Sequence, residues 1–391
     1  MKWTLYRYLV KELIPSFFLG LIGFTFILLT GRILQLTELF VNKGVPLGFI
    51  LQLLSFLLPS FMVLTIPMAT LLSVLLAFNR LSSDNEITAF KASGVSLYQM
   101  IPPVLVFSIT TFLATALLAL YSVPQANTAS RSLLYEIASS KAHAGIRERA
   151  FNDDFEGLVL YVERVQPKTF HWENIFISDS RNPADLYTIL AREGEVISDP
   201  QRLSVTLRLK DGAIHKLGKM PDSYQKIDFH SYDLRLYLKT GLREKKTEEK
   251  HPADMSLREL NRTIQMLRSK KADVKIHWVK IYEKFSIPFA CLVFGIIGIP
   301  LGLQSRRARG SKSRGFAWSI GVLLIYYLLT NAGTSLAERG AILLEVGMWA
   351  PNAIFITLGF YLLVKAAKES PVLLLLWIQK GLQRIRQSWR S

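Results

Sequence analysis

Long charge-free runs alternate with short polar segments along this chain. Asp, Glu, Lys and Arg are absent from residues 13–31, 44–79, 92–130, 285–305, 315–337 and 346–364. A helix rises about 1.5 Å per residue, so about 20 apolar residues cross a hydrocarbon core of about 30 Å. Each run is long enough for one span, and the two longest leave residues over for an interfacial or kinked extension. The pattern therefore predicts six transmembrane helices.

A polar insertion, residues 131–277, separates the third run from the fourth. Residues 158–165 (LVLYVERV) are rich in β-branched and aromatic residues, and residues 232–238 (YDLRLYL) alternate apolar with polar side chains; both features are typical of strands. Residues 203–217 alternate in the same way and contain Asp211-Gly212, a pair that predicts a hairpin turn. We expect a β-sandwich or partly open barrel with one apolar face along each strand. That face would be a core or, if the sheets part, a cradle for lipid chains.

The insertion ends in a charged connector, residues 240–254, followed by an amphipathic segment. Ser256 and Glu259 have the spacing of a capping box at the start of SLRELNRTIQMLR (256–268), and leucine and isoleucine then recur at helical spacing. This predicts a helix that leads into the fourth span, as a lever or as a plain linker. A last apolar stretch, residues 371–379, is too short to cross a membrane and is expected to lie on its surface.

Basic residues are distributed unevenly between the two sides of a six-span chain. The side with both termini and the loops near 80–91 and 306–314 carries sixteen Lys and Arg, whereas the short loops opposite carry only Lys43 and Arg339. Because such residues mark the cytoplasmic side, both termini are predicted to be cytoplasmic. The net charge of +17 then reflects topology and lipid headgroups, and no nucleic-acid partner is expected from such dispersed charges.

The segment RLSSDNEITAFKASGVS (80–96) interrupts the two longest apolar runs with mixed charges. Ser83 followed by Glu86 predicts a second capping box, and Gly94 predicts a stop. A helix of about ten residues, about 83–94, should therefore form, with Ile87 and Phe90 on one face. Glu86 would then either only cap this helix, or belong to an acidic and aromatic face that enters a groove of a soluble partner.

Motifs of catalysis and cofactor binding are missing from the sequence. RGSKS (309–313) has the wrong order for a phosphate-binding loop, and G-x-S-x-G, H-E-x-x-H and C-x-x-C are absent. The histidines are scattered, and the single cysteine, Cys291, lies within the fourth run. No catalytic residue, cofactor or metal site is predicted. The scarcity of ionisable residues in the runs argues against a proton- or sodium-coupled carrier.

Two features of the runs have both a structural and a functional interpretation. Arg32, near the outer end of the first run, would snorkel to the headgroups or face a cavity and meet an anionic lipid headgroup. Gly298 and Gly302 in GIPLG form a G-x-x-x-G pair, which would admit a neighbouring helix or mark a kink near the end of the span.

Several stretches together resemble the lipopolysaccharide export permeases of the LptF/LptG family over essentially the full chain. They are RYLVKEL (7–13), LSSDNEITAFKASGVS (81–96), MSLREL (255–260), FSIPFACLVFGIIGIPLGL (285–303) and GFAWSIGVLLIYYLL (315–329). The IPLG motif and the basic loop after it favour the F-type subunit. The resemblance implies an α-helical polytopic membrane protein with six transmembrane helices and an inserted periplasmic β-jellyroll-like domain.

The resemblance also implies boundaries and partners. Transmembrane helices one to three with a cytoplasmic coupling helix would occupy 1–130, the β-jellyroll-like domain 131–255, the connecting helix 256–277, transmembrane helices four to six 278–366, and a cytoplasmic amphipathic basic tail 367–391. The implied partners are a second permease of the family in a heterodimer, a cytoplasmic ABC ATPase dimer that hydrolyses ATP, periplasmic jellyroll bridge proteins, and lipopolysaccharide. The protein would not itself be an enzyme.

Candidate site residues follow from the same resemblance. The expected ATPase-coupling residues are Arg80, Asp84, Glu86, Ile87, Phe90, Lys91 and Gly94. Arg32 and Gln35 are the candidate lipid-binding residues; the positive charge around them is sparse, so the partner permease would supply most of it. Gly298 and Gly302 are the candidate helix-packing residues.

The expected function is extraction of lipopolysaccharide from the outer leaflet of the bacterial (Gram-negative) inner membrane and its transfer to a periplasmic bridge. Two alternatives stand beside it: a mechanotransmission permease that works with an ATPase without conducting lipid, and a membrane-anchored scaffold. A scaffold would not depend on Glu86, and mechanotransmission permeases usually have four spans rather than six.

Overall fold

The computed structural model describes residues 2–43, 46–144, 147–153, 155, 157–166, 171–182, 185–199, 204–217, 224–236, 252–270, 272–303 and 311–368. Its helices are α1 (Lys2–Lys43), α2 (Leu47–Ser83), α3 (Glu86–Ala92), α4 (Ile101–Leu117), α5 (Val123–Ala144), α6 (Leu257–Ser269), α7 (Lys275–Leu303), α8 (Ser311–Glu338) and α9 (Leu344–Ala367). A 3₁₀ turn, Leu97–Met100, precedes α4, and a π turn, Leu118–Ser122, joins α4 to α5.

Six helices in these ranges are long and apolar enough to cross a membrane, which confirms the predicted number of spans. They are Trp3–Leu34, Leu47–Ser83, Leu97–Ile137, Lys275–Leu303, Ser319–Glu338 and Leu344–Ala367. The second and fourth of them are the most buried, each with 72% of its most apolar window inside the protein. The chain divides into two compact units, one of Met1–Leu28, Leu58–Pro124 and Pro252–Ser391, the other of Leu29–Leu57 and Gln125–His251.

The first unit is organised around α7. A Cβ atom added at Gly298 would lie 2.9 Å from Cβ of Val74, and one at Gly302 would lie 2.7 Å from Cβ of Phe78, so both glycines lie against α2. Small residues allow this close approach of two backbones. In a membrane the burial of apolar surface does not drive helices together, so close van der Waals packing of this kind contributes to their association.

Buried polar groups join α7, α8 and α9. The amide of Asn352 donates to the carbonyl and hydroxyl oxygens of Ser286 at 3.0 and 2.9 Å, and it accepts from the Tyr326 hydroxyl at 2.9 Å. The Ser286 hydroxyl donates to the Met348 carbonyl at 2.7 Å. Because no water competes for these groups inside a membrane, such a network fixes the register of three helices.

The second unit contains an antiparallel sheet whose strands follow one another in sequence order. The strands are β1 (Phe151–Asn152), β2 (Leu158–Gln166), β3 (His171–Asn182), β4 (Asp185–Asp199), β5 (Ser204–Leu217) and β6 (Tyr224–Leu236). The strands predicted at 158–165, 203–217 and 232–238 are confirmed over their described residues, which are 158–165, 204–217 and 232–236. The expected two-sheet sandwich is wrong for the described strands, since they form a single sheet.

A polar row crosses this sheet from β2 to β6. The strand registers place Glu163, Asn174, Arg192, Asp211 and His230 next to one another. On each strand the residues before and after this position are paired with the neighbouring strand, but the position itself is not. Asn174 and Asp211 have φ of 51° and 48°, a left-handed conformation that is unusual for residues other than glycine. We call this row the crease.

On β3 and β4, the alternation of buried and exposed side chains shifts by one residue at the crease. On β3, Trp172 is buried before Asn174, and Ile175 and Ile177 are buried after it. The buried positions are therefore even-numbered before the crease and odd-numbered after it. On β4, Val196 and Ala191 are buried with the same shift. Since the buried residues from both sides belong to one apolar cluster, a single sheet supplies both walls of its core. This arrangement is closer to the partly open barrel than to the sandwich.

The predicted hairpin at Asp211-Gly212 is also wrong. β5 continues through this pair, and the Asp211 carboxylate accepts a 3.0 Å hydrogen bond from Nδ1 of His230 on β6. A Cβ atom at Gly212 would lie 2.6 Å from Cζ of Phe229, so glycine is needed there for the close approach of neighbouring strands. The positive φ that an Asp-Gly pair supplies is used for the crease rather than for a turn.

The connecting helix forms as predicted. The Ser256 hydroxyl accepts from the Glu259 amide at 3.3 Å, and the Glu259 carboxylate accepts from the Ser256 amide at 2.8 Å, which completes the capping box of α6. Parts of three predicted segments lie outside the described residues: 240–251 of the charged connector, 306–310 of the basic loop, and 369–391 of the basic tail, which includes the predicted surface segment 371–379.

Candidate functional site

The segment between α2 and the 3₁₀ turn forms a shorter helix than predicted. α3 has seven residues, and its N-cap is Asn85, which has φ of 60° and makes no side-chain capping bond. The predicted capping box of Ser83 and Glu86 is wrong, because α2 continues through Ser83 and the Asp84 amide still bonds to the Arg80 carbonyl at 2.9 Å. A residue inside a helix cannot serve as the N-cap of the next one.

The predicted stop at Gly94 is confirmed. Gly94 has φ of 80°, and its amide donates to the Lys91 carbonyl at 3.0 Å, while the amide of Val95 donates to the Phe90 carbonyl at 2.9 Å. A left-handed glycine in this position closes the C-terminus of a helix. Lys91 lies half-buried in the last turn of α3.

Ile87 fastens α3 to the core of the first unit. It is 3% exposed and belongs to a cluster with residues of α1, α2, the 3₁₀ turn, α4, α7 and α9. Ile87 and Phe90 do share one face of α3, as predicted, but the face points inward and the Ile87 side chain is covered by the protein's own helices. Phe90 is half-buried at the edge of the same cluster.

Glu86 is held by the first helix. The Tyr8 hydroxyl donates a 2.7 Å hydrogen bond to Oε2 of Glu86, and the Tyr8 ring meets the Phe90 ring edge to face with centroids 6.5 Å apart. Since Glu86 and Phe90 are four residues apart on α3, one tyrosine contacts both side chains of one helix face. Glu86 remains partly exposed.

A groove of about 620 Å³ opens beside this contact. Its lining comes from the start of α1, from α3 and from the turn after it: Thr4, Leu5, Tyr6, Tyr8, Glu86, Phe90, Ser93, Gly94, Val95 and Gln99. Of these lining residues, only Glu86 carries a charge at neutral pH. A single carboxylate on a mostly apolar wall is suited to a partner that brings both apolar and basic side chains.

Arg80 also contacts the first helix. Its Nη1 lies 2.6 Å from both carboxylate oxygens of Glu12, and its Nε lies 3.5 Å from the Asp84 carboxylate. The side chains of Arg80 and Asp84 are each about half exposed. Two of the expected coupling residues thus have partners within the chain and also reach the surface.

Tyr8 and Glu12 are the residues that sequence reasoning missed. They are four apart in RYLVKEL, so they share one face of α1, and that face binds α3 through Tyr8 and the end of α2 through Glu12. The spacing signals a polar helix face within a membrane-entering segment, but it does not identify what the face contacts.

The candidate lipid-binding residues lie elsewhere along α1. Arg32 is half-buried and belongs to the second unit, whereas Glu86 belongs to the first. The side chain of Gln35 lies outside the described residues. Among the described residues, His, Cys, Asp and Glu side chains form no group of three or more that could hold a metal ion.

Comparison with known proteins identifies the family. Residues 7–365 match the family model of the lipopolysaccharide export system permease LptF/LptG. The lipopolysaccharide export system permease protein LptF of Escherichia coli (strain K12) is 20% identical over 388 residues, covering 98% of this chain and 97% of that protein. The LptF protein of Shigella flexneri gives the same values. With six candidate spans and an inserted β-sheet region, the chain belongs to the LptF/LptG family of lipopolysaccharide export system permeases.

Proposed function

We propose that this protein is the F-type permease subunit of an ATP-driven exporter that extracts lipopolysaccharide from the outer leaflet of the inner membrane. A separate cytoplasmic ATPase dimer binds at α3 and supplies the energy, and the glycolipid passes to periplasmic bridge proteins. The observation that carries the coupling role is Glu86, which is the one charged residue among the described residues that line the groove beside α3 and which accepts a hydrogen bond from Tyr8.

The orientation in this proposal rests on charge. Sixteen Lys and Arg lie on the side of the membrane that holds both termini and the loop with α3, so that side is cytoplasmic. The sheet of the second unit is then periplasmic. We assign it as the family's jellyroll-like domain, with an apolar interior between its two walls that suits acyl chains.

The heterodimer is supported by the burial of the spans. Only 11% of the apolar window of the first span and 22% of that of the fifth are covered within this chain. These helices keep apolar faces for lipid and for the second permease. Arg32 and Gln35 on the first helix would meet the phosphorylated headgroup, and the partner permease would contribute further positive charge.

Charge reversal at Glu86 tests the coupling role. Glu86→Arg places a cation where a basic partner residue is expected, and it removes the acceptor for Tyr8. We expect the affinity for the ATPase to fall by about 30-fold or more, because an unpaired charge in an interface costs about 2 kcal/mol or more. Affinity is measured by titrating the ATPase onto the purified permease pair, and lipopolysaccharide release is measured in proteoliposomes.

Glu345→Arg is the matched control. Glu345 is also a carboxylate that accepts a tyrosine hydrogen bond, from Tyr282 at 3.0 Å, but the proposed topology places it on the periplasmic side. This variant should keep normal ATPase affinity. If Glu86→Arg retains normal affinity and release, the coupling role is wrong, and a scaffold that does not depend on Glu86 becomes the better interpretation.

A further inference from the structure

Two side chains of α1, one turn apart, hold the two ends of the loop between α2 and α3. Tyr8 bonds to Glu86 on α3, and Glu12 bonds to Arg80 in the last turn of α2. Both contacts join residues that are far apart in the chain, 78 positions for the first and 68 for the second. The first helix therefore fixes where this loop sits.

The contact at Tyr8 has a specific consequence for Glu86. A glutamate side chain has three rotatable bonds, and ordering a side chain of this type costs about 1.5–2 kcal/mol. The Tyr8 hydroxyl limits this freedom before any partner arrives, since it bonds to Oε2 and leaves Oε1 available. The ring of Phe90 holds the tyrosine in turn, at 6.5 Å between centroids.

We propose that Tyr8 is a positioning residue for ATPase coupling, which pre-orders Glu86 toward the groove and makes the first helix part of the coupling element. The inference rests on the proposed docking role of Glu86. Tyr8 acts through Glu86 and not by its own contact with the ATPase, so its effect must vanish when the carboxylate is removed.

The structure also offers a plain packing role for Tyr8. Its ring lies against the apolar cluster that contains Leu9, Leu13 and Ile87. Tyr8→Phe separates the two roles, because it keeps the ring and removes only the hydroxyl. Tyr6→Phe is the matched control, since Tyr6 lines the same groove and its hydroxyl is not the one that bonds to Glu86.

A double-mutant cycle on the complete permease pair tests the proposal. ATPase affinity is measured for the parent, Tyr8→Phe, Glu86→Ala and the combined variant. The control Tyr6→Phe is measured in the parent and in the Glu86→Ala background. Tyr8→Phe should weaken affinity about 10- to 30-fold, the fold-change that corresponds to the cost of ordering the Glu86 side chain on binding. In the Glu86→Ala background the same change should alter affinity by less than about 2-fold, because coupled residues are not additive.

The outcomes separate the inference from the proposed function. Normal affinity of Glu86→Ala would refute the docking role itself. Weak binding by Glu86→Ala together with parental binding by Tyr8→Phe would leave docking intact and overturn the positioning role. An equal loss from Tyr8→Phe in both backgrounds would also overturn it, since the hydroxyl would then act independently of Glu86.

Discussion

Replacing Gly302 with alanine should loosen the contact between α7 and α2. The new Cβ atom would lie 2.7 Å from Cβ of Phe78, 2.8 Å from the carbonyl oxygen of Leu75 and 3.1 Å from the backbone nitrogen of Asn79. Ordinary carbon contacts are about 3.5–4.0 Å, so the helices must separate locally by about 1 Å. None of the three atoms is at the end of a flexible side chain, and relief therefore requires backbone movement.

The expected loss of stability in Gly302→Ala is obtained by comparison with a second helical glycine, Gly321. Gly321 in α8 has no atom within 4 Å of an added Cβ, so Gly321→Ala gains helix propensity, about 1 kcal/mol, without a clash. Gly302→Ala has the same gain but also the overpacking cost, about 1–3 kcal/mol. The difference between the two variants isolates that cost and corresponds to about 2–12 °C in melting temperature.

The protein carries its own probe for this measurement. Cys291 is the only cysteine of the chain, and it is fully buried within α7. A maleimide dye that fluoresces on reaction with a thiol will report the temperature at which this helix becomes accessible in detergent. Gly298→Ala should fall between the other two variants, because its Cβ would lie 2.9 Å from two side-chain atoms of Val74.

Equal melting temperatures for Gly302→Ala and Gly321→Ala would refute the reasoning. They would mean that α2 yields to the extra methyl group at negligible cost, and that the close approach at Gly302 is not required for packing. A melting temperature of Gly302→Ala above that of the parent would have the same meaning.

The remaining predictions concern the sheet and the connecting helix, and hydrogen exchange by mass spectrometry can check the first two. Asp211→Val should speed amide exchange in β5, because a β-branched residue at φ of 48° is strained by about 1–3 kcal/mol. Asp211→Gly should not speed it, and equal exchange in the two variants would argue against strain at the crease. Ser256→Ala should speed exchange in α6 about fivefold, since loss of an N-cap costs about 1 kcal/mol; unchanged exchange would show that the cap is dispensable. The hydrogen bond from Arg208 lowers the pKa of Asp233, so this pair stabilises the sheet above pH 3.8 and its contribution is lost as pH falls through the lower folded value. Thermal melts of the parent and Asp233→Asn should therefore converge at acid pH.

Much of the architecture could be predicted because it depends on local pattern. Six spans followed from the length of charge-free runs, a property of composition alone. The strands followed from period-two alternation, and the cap of α6 followed from Ser256 and Glu259, whose partners are three residues apart.

The errors arose where the same local signal fits two tertiary settings. Asp211-Gly212 allows a positive φ, which serves a hairpin or a crease, and only the neighbouring strands β4 and β6 decide between them. Ser83 and Glu86 have the spacing of a capping box, but α2 extends through Ser83, and the Asp84 amide still bonds to the Arg80 carbonyl. Ile87 and Phe90 were expected on one face of α3, but the pattern does not say whether that face meets a partner or the protein's own helices, and the surrounding helices cover Ile87.

The sequence by itself determined the family, the number of candidate spans and the β character of the insertion. Tertiary structure alone decided which atoms surround Glu86, which face of α3 is buried and how one sheet forms both walls of its core. The physical reason is the range of the contacts. Hydrophobic periodicity is set by neighbours within a few residues, whereas the hydrogen bond from Tyr8 to Glu86 joins positions 78 residues apart, and no local pattern specifies such a pair.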